Sequence, residues 1–219
     1  NLMKASEKCF QLGFVELGMV PFETIGDVIK AMPNLARMQA WRSIYSLVAK
    51  HIKHHKLRIV MSFHPLLIGG NPYSVTCVYS LIHSLERRWG VHSAMGGTGA
   101  IVRELVKLLD ERRVPIRYNT PVTQIRVKDG RAEGVELESG EFLPADIVVS
   151  NGAAAWTYRH LVAPQHRKHW TDKRIAKGKY SSGLFVWYVG TNRQFKDVPH
   201  HMMVLGPRYK GLLQDIFKN

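Results

Sequence analysis

The spacing of the apolar residues changes near Pro115, and this change restricts the chain to a fold that contains both helices and a sheet. Before Pro115 they recur every three or four positions, the period of a helix with one buried face: Ile101, Val102, Leu105, Leu108 and Leu109. After it, Ile125 and Val127 alternate with polar residues, as in a half-buried strand. Asp129-Gly130 is typical of a tight turn between antiparallel strands. The chain is therefore predicted to be α+β.

Helices dominate the first part of the chain, and the second part is mixed. Helical structure is predicted from Ser6 to about Phe63, with breaks at Gly18 to Pro21 and at Pro33-Asn34. Further helices are predicted from Val75 to Arg88, around 158–161 and from Pro207 onward. Continuous apolar runs predict buried strands at 147–149 and 184–189 and a short strand at 202–205.

Composition narrows the class of protein and leaves its partners open. No run of eighteen apolar residues is present, and the first residues do not have the pattern of a secretory signal. Cys9 and Cys77 form no metal-binding spacing, so buried free thiols in a reducing compartment are expected. The net charge of +14 favours a polyanionic partner. Charge alone does not decide whether that partner is anionic lipid, nucleic acid or an acidic protein.

The segment from Ala40 to Arg58 combines an apolar stripe with a dense basic cluster. Trp41, Ile44, Tyr45 and Val48 recur at helical spacing, and lysines, histidines and an arginine crowd the positions that follow. Such a helix lies on a membrane surface in some proteins. More often the stripe is the core side of a globular helix, and the sequence favours that interpretation.

Other polar clusters give weaker indications. Gly96, Gly97 and Gly99 open a helix in the way that lets backbone N–H groups approach a ligand, although many helices begin with a glycine turn. His51 and His55 stand one helical turn apart but lack a third ligand, so no metal site is predicted. In two pairs, Ser62 with His64 and Cys77 with His83, a histidine could activate a nucleophile, but sequence spacing alone does not show that the two side chains meet.

Several blocks of this sequence closely resemble bacterial phytoene desaturases. The blocks cover nearly the whole chain: 24–30, 35–43, 62–72, 89–91, 95–100, 185–188 and 206–209. The most specific are Ser62-Phe63-His64-Pro65-Leu66-Leu67-Ile68-Gly69-Gly70-Asn71-Pro72 and Met95-Gly96-Gly97-Thr98-Gly99-Ala100. The resemblance implies an FAD-dependent oxidoreductase that introduces double bonds into the polyene phytoene in carotenoid biosynthesis. It also implies a partial flavin amine oxidase-like fold, which contains two dinucleotide-binding domains.

The resemblance implies roles for a few residues. Val122 corresponds to the strand position whose backbone lies against the adenine of FAD, and Asn151 with Gly152 corresponds to a turn near the cofactor. Many relatives have alanine at the position of Gly152. Asp27 and Lys30 correspond to an acid–base or positioning pair, and the family often has arginine at the position of Lys30. At a spacing of three, a surface ion pair is the simpler interpretation.

The resemblance also implies a division of labour along the chain. Residues 1–93 would form a helical region that faces substrate and membrane, 94–155 part of the FAD-binding domain, and 156–219 part of the substrate-binding domain. No G-x-G-x-x-G motif occurs. The chain is therefore expected to be an interior fragment without the N-terminal Rossmann motif and the C-terminal FAD segment. As an isolated piece it is expected to be inactive, and colourless when purified.

Two functions from other classes compete with this interpretation. A non-catalytic basic module could bind membrane lipid without chemistry. A nucleic-acid binder could use the positive charge against phosphate, but no recognition motif supports it, so no nucleic acid is predicted as a partner. The expected location is the cytoplasm, with peripheral attachment to an anionic membrane surface.

Overall fold

The computed structural model describes residues 1–178, 180–181 and 183–217, and the contacts divide the chain into two units. The helical unit contains 1–92 together with 181–219, and the hairpin unit contains 93–180. This division assigns residues 156–178 to the hairpin unit and the last part of the chain to the helical unit. The cofactor and substrate domains predicted at 1–93, 94–155 and 156–219 follow different boundaries and stay a prediction.

The helical unit is built from short helices. They are α1 (Leu2–Cys9), a π-helical continuation (Phe10–Glu16), α2 (Ile25–Met38), α3 (Ile44–His51), α4 (His55–Val60), 3₁₀ helices at His64–Ile68 and Cys77–Leu81, α5 (Ile82–Trp89) and, near the end, α9 (Tyr209–Ile216). Its largest core cluster joins α1 and α3 to Cys77. Ile44 and Val48 are fully buried there, so this part of the apolar stripe belongs to the core, whereas Trp41 precedes α3 and is 73% exposed. Cys9 and Cys77 are buried free thiols, as predicted.

Helix α2 is longer than the sequence predicts. Thr24 and Asp27 form a capping box at its start: the Thr24 hydroxyl accepts a hydrogen bond from the Asp27 N–H at 3.3 Å, and the Asp27 carboxylate accepts one from the Thr24 N–H at 2.9 Å. The helix continues through Pro33 to Met38, so the predicted break at Pro33-Asn34 is wrong. Ala31 and Met38 are buried on either side of the proline, and this packing offsets the hydrogen bond that Pro33 cannot make.

Removing the cap of α2 tests this account of the helix. Thr24→Ala is expected to lower the free energy of unfolding by about 1 kcal/mol, whereas Thr24→Ser should retain most of it. Hydrogen bonds from Thr24 hold the pKa of Asp27 below its usual value. The part of the cap that depends on the ionised Asp27 carboxylate is therefore complete above the ordinary carboxyl pKa and is lost as the pH falls through the lowered one. Urea unfolding at neutral and acid pH measures both effects, and a difference between the unaltered chain and Thr24→Ala that grows in acid would contradict them.

The hairpin unit contains α6 (Thr98–Glu111), β1 (Val122–Lys128), β2 (Arg131–Leu137), β3 (Phe142–Pro144), α7 (Ala154–His160), a 3₁₀ turn (Pro164–His166) and α8 (Asp172–Ala176). The three strands are antiparallel in the order β1-β2-β3. Asp129 and Gly130 both have positive φ, 49° and 79°, between the paired residues Lys128 and Arg131. These angles match the hairpin turn predicted from Asp-Gly. The α+β class is therefore confirmed.

The described residues form no strand at 147–149, 184–189 or 202–205, so these three predictions are wrong. Ile147 is 80% exposed, and most of the apolar side chains in the other two runs are also exposed. A strand buried on both faces needs hydrogen-bonded neighbours and covering layers. The sheet in the described part of the chain ends at β3, so these runs have neither. In the same way, no residue of α6 is buried, and the apolar side chains of Val102 and Leu105 are more than half exposed.

Candidate functional site

An apolar groove of about 770 Å³ is the main cavity feature of the helical unit. It runs between the 3₁₀ helix His64–Ile68 and α9, and the stretch 203–207 contributes to its wall. Its apolar side chains are Phe63, Leu66, Leu67, Leu184, Met203, Val204, Leu205, Leu212, Leu213, Ile216 and Phe217. This volume lies within the range of small-molecule sites. The groove therefore suits a large ligand with few polar groups.

A buried cluster holds the two walls of the groove together. Ile59, Tyr209 and Leu213 are buried against one another, with Leu66 and Tyr73 packed around them. Burial raises the pKa of Tyr209 to about 12, so its phenol stays protonated. Gly69 ends the 3₁₀ helix in the left-handed region, at φ 70°, and the Gly70 N–H donates to the Pro65 carbonyl at 2.8 Å. These turns explain why the 62–72 block is rich in proline and glycine.

The groove offers little acid–base chemistry of its own. Among its lining residues the charged one is Arg208, whose guanidinium donates to the Asp215 carboxylate at 3.0 Å. An unreactive hydrocarbon bound there would meet apolar surface and no activated nucleophile. Redox chemistry on such a ligand is of the kind that a bound cofactor supplies.

The nucleophile pairs considered from the sequence do not form. The Ser62 hydroxyl donates to the Arg58 carbonyl at 2.7 Å, and the Cys77 thiol donates to the Gln39 carbonyl at 3.2 Å. The hydrogen bond with Cys9 and burial raise the pKa of Cys77, which keeps the thiol protonated. Neither residue is activated by a histidine.

The two histidines instead meet Glu86 in a cluster that sequence reasoning missed. His64 Nε2 lies 3.1 Å from Glu86 Oε1, and His83 Nδ1 lies 3.8 Å from Glu86 Oε2. Both imidazoles are buried, and burial lowers the pKa of His83. His64 Nδ1 has no hydrogen-bond partner among the described residues. The signal in the sequence was the spacing of His83 and Glu86, which places them on one face of a helix.

His51 and His55 lie on separate helices. His51 ends α3 and His55 begins α4, with an extended residue at Ile52 between them. The assumption that they stand one turn apart on a continuous helix is therefore wrong. Within the described part of the chain, the group of side chains close enough to share an ion is that of His64, His83 and Glu86.

Asp27 and Lys30 lie on α2 in the helical unit. The Asp27 carboxylate is engaged by the backbone and hydroxyl of Thr24, and Lys30 is exposed. An Asp27–Lys30 ion pair is not among those formed by the described residues. The surface pair expected from their spacing is therefore absent, and a catalytic or positioning role for them stays a prediction.

Val122, Asn151 and Gly152 all belong to the hairpin unit. Val122 begins β1 and pairs with Leu137, which lines a cavity of about 460 Å³ with Asn119 and Ser139. Asn151 and Gly152 form an exposed turn before α7, and Leu161, the residue after α7, accepts a hydrogen bond from the Ile125 N–H of β1 at 2.7 Å. Arg117, Thr120 and Glu138 add further polar groups to this cavity, and Val122, Asn151 and Gly152 are not among its lining residues.

The glycine turn before α6 is also open to a ligand. Gly96 and Gly97 have φ of 79° and 77°, and a Cβ atom on Gly97 would meet no atom within 4 Å. The first turn of α6 contains no acidic residue. Its N-terminal N–H groups are therefore accessible to an anionic group, as the sequence suggests.

Comparison with known proteins finds relatives that match nearly the whole chain. The profile of the family described as flavin containing amine oxidoreductase matches residues 40–216. A phytoene desaturase (neurosporene-forming) of Cereibacter sphaeroides is 44% identical over 220 residues, covering 99% of this chain and 42% of the relative. A phytoene desaturase (lycopene-forming) of Pantoea ananas is 38% identical over 214 residues, covering 98% of this chain and 44% of the relative. The chain spans about two fifths of the length of these relatives, and the predicted resemblance is confirmed.

Proposed function

Because the chain belongs to the flavin containing amine oxidoreductase family, we propose that it is part of a phytoene desaturase, an enzyme that introduces double bonds into phytoene. The family implies a flavin cofactor, and we propose FAD in particular. The activity belongs to the whole enzyme, of which this chain supplies the helical and hairpin units.

The apolar groove of the helical unit is the observation that carries the proposal. Phytoene is a hydrocarbon without polar groups, so it is recognised by burial of apolar surface and not by hydrogen bonds. Leu66, Leu212 and Leu213 supply such surface on facing walls. Because the groove provides little acid–base chemistry of its own, this chain contributes binding, orientation and exclusion of water. The flavin, when bound, supplies the acceptor for the hydride that leaves the polyene.

The hairpin unit is the part of the chain that we assign to FAD. The backbone at Val122 would lie against the adenine, and the turn at Asn151 and Gly152 would pass near the cofactor. Support comes from the polar cavity beside Leu137, the pairing partner of Val122, and from the family to which the chain belongs. Asp27 and Lys30 remain our proposed acid–base or positioning pair for the whole enzyme.

A chimera tests the proposed activity. These 219 residues would replace the matching part of the Cereibacter sphaeroides desaturase, and the product would be assayed with phytoene and FAD. We expect conversion of phytoene to more desaturated, coloured products. A soluble, flavin-containing chimera that leaves phytoene unchanged would contradict the proposal.

A second property, peripheral attachment to the cytoplasmic face of an anionic membrane, is also proposed. No helix in the described part of the chain is both long and apolar enough to cross a bilayer. Support comes from exposed apolar side chains between positions 14 and 32: Phe14, Met19, Phe22, Ile25, Val28, Ile29 and Met32. These side chains favour contact with a lipid surface. The attraction to anionic lipid comes from the net charge of +14 carried elsewhere in the chain, because the segment 14–32 itself holds Glu16, Glu23 and Asp27 against Lys30.

A negative charge introduced at Phe22 tests the membrane proposal. Phe22→Glu is expected to weaken binding to phosphatidylserine-containing vesicles about tenfold, because an exposed aromatic contact is lost and a negative charge is added. Ile147→Glu, at an exposed apolar position of the hairpin unit, serves as the matched control and should bind like the unaltered chain. Co-sedimentation measures both. Equal losses in the two variants would contradict a surface at 14–32, and vesicle binding with an inactive chimera would favour a non-catalytic lipid-binding module.

A further inference from the structure

We propose that His64, His83 and Glu86 bind a divalent transition metal ion, for which Zn²⁺ is the representative. The three side chains lie in the helical unit and belong to neither the groove lining nor the residues assigned to FAD. Two imidazoles and one carboxylate form a ligand set that proteins use for zinc, with a fourth position left for water. The ion would be additional to the flavin chemistry.

The distances between the ligand atoms fit such an ion. His64 Nε2 and Glu86 Oε1 are 3.1 Å apart, His83 Nδ1 and Glu86 Oε2 are 3.8 Å apart, and one atom from each residue lies within 4.8 Å of the other two. With bonds of about 2.0–2.1 Å, a tetrahedral zinc ion separates its ligands by about 3.3 Å. The 3.1 Å contact is a hydrogen bond from His64 Nε2 to the Glu86 carboxylate, so the ion would take the place of that hydrogen and leave the ring hydrogen on Nδ1. The longer separations would contract toward the separation found between zinc ligands.

The hydrogen bonding of His83 directs the correct nitrogen to the ion. His83 Nε2 lies 2.9 Å from the Met61 carbonyl oxygen. Because a carbonyl can only accept, Nε2 carries its hydrogen, and Nδ1 is the nitrogen that can offer a lone pair. A metal-binding histidine usually donates its other N–H to a carbonyl or carboxylate in this way. The separation of 3.8 Å from Nδ1 to Glu86 Oε2 is too long for a hydrogen bond and leaves space for a cation.

The backbone holds the ligands before any ion binds. His83 and Glu86 are three residues apart on α5 and share one face, while His64 begins the 3₁₀ helix that carries Leu66 and Leu67 into the groove wall. The histidines are buried, and the Glu86 side chain is 40% exposed, which gives the ion a path from solvent. A bound ion would tie the groove wall to α5. Its role would be to position the groove, not to react with the polyene.

Titration with Zn²⁺ alone tests the site. The chain would be stripped with a chelator and titrated calorimetrically, and we expect one ion per chain. Glu86→Gln leaves both histidines in place and should lower the affinity at least tenfold, since it removes the charged ligand. The matched control is a double variant, His51→Gln with His55→Gln, which should bind as before. Binding that is insensitive to Glu86→Gln, or is lost in the control, would overturn the proposal.

A second measurement uses the unaltered chain and does not require the Glu86→Gln variant to fold. If circular dichroism shows that Glu86→Gln does not fold, the unaltered chain decides the question through Co²⁺ absorption and thermal unfolding. We expect visible bands of a nitrogen- and oxygen-ligated Co²⁺ ion and a rise in Tm with Zn²⁺ but not with Mg²⁺. The absence of both the bands and the rise would contradict the site.

Discussion

Replacing Leu212 by aspartate in the chimera is expected to reduce phytoene desaturation about a hundredfold or more. Leu212 lies on α9 in the wall of the apolar groove. A hydrocarbon bound against this half-exposed position would displace water from the aspartate carboxylate, at a cost of about 3 kcal/mol or more. Each 1.4 kcal/mol changes a rate or binding constant about tenfold. Initial rates at several phytoene concentrations measure the loss.

Leu57→Asp is the matched control for this prediction. Leu57 and Leu212 are both 51% exposed and both lie on helices of the helical unit, but Leu57 does not line the groove. The two substitutions therefore share the change in charge and similar costs in helix propensity. We expect Leu57→Asp to retain nearly full activity. Equal losses, with flavin content unchanged in both variants, would show that the groove is not where the polyene binds.

The largest expected effect on stability is that of Gly134→Ala in the sheet. A Cβ atom at this position would lie 2.1 Å from the Leu143 carbonyl oxygen and 2.9 Å from the Phe142 ring, and the residue has a φ of 149°. Gly134 pairs with Pro144 across β2 and β3, so relief of the clash requires separation of the strands. We expect a loss of about 3 kcal/mol in the stability of the hairpin unit.

Hydrogen exchange of the peptides that cover 122–144 measures this loss without assuming that both units unfold together. Gly140→Ala is the control, because Gly140 also has a positive φ, 85°, but a Cβ there meets no atom within 4 Å. Its cost should be about 1 kcal/mol, from the backbone conformation alone. Similar protection in the two variants would contradict the steric account of Gly134.

Local patterns predicted the elements that depend mainly on their own residues. The Asp129-Gly130 pair predicts the hairpin turn, and both residues have the positive φ that such a turn requires. The helical spacing of Ile44 and Val48 predicts the core side of α3. Pro33 was misjudged because burial of Ala31 and Met38 on either side of it is a tertiary effect. The apolar run at 147–149 was misjudged because a buried strand depends on neighbours that a local pattern does not contain.

The candidate sites show the same limit. The 62–72 block predicted a family, but the groove needs α9, which lies far along the chain, so its shape could not be predicted from either segment. His64 and His83 drew attention as possible bases, yet their common partner Glu86 became evident only when the 3₁₀ helix and α5 were seen together. Chemistry that depends on long-range contacts was therefore beyond sequence patterns.

Photolabelling tests the central claim, that the apolar groove receives the polyene, most directly. The chimera would be irradiated with a phytoene analogue that carries a diazirine group, digested, and mapped by mass spectrometry. We predict labels on peptides that contain 63–67 and 203–217, and their loss when unlabelled phytoene is in excess. Labels confined to 93–178, or labels at 63–67 and 203–217 that excess phytoene does not displace, would contradict the account.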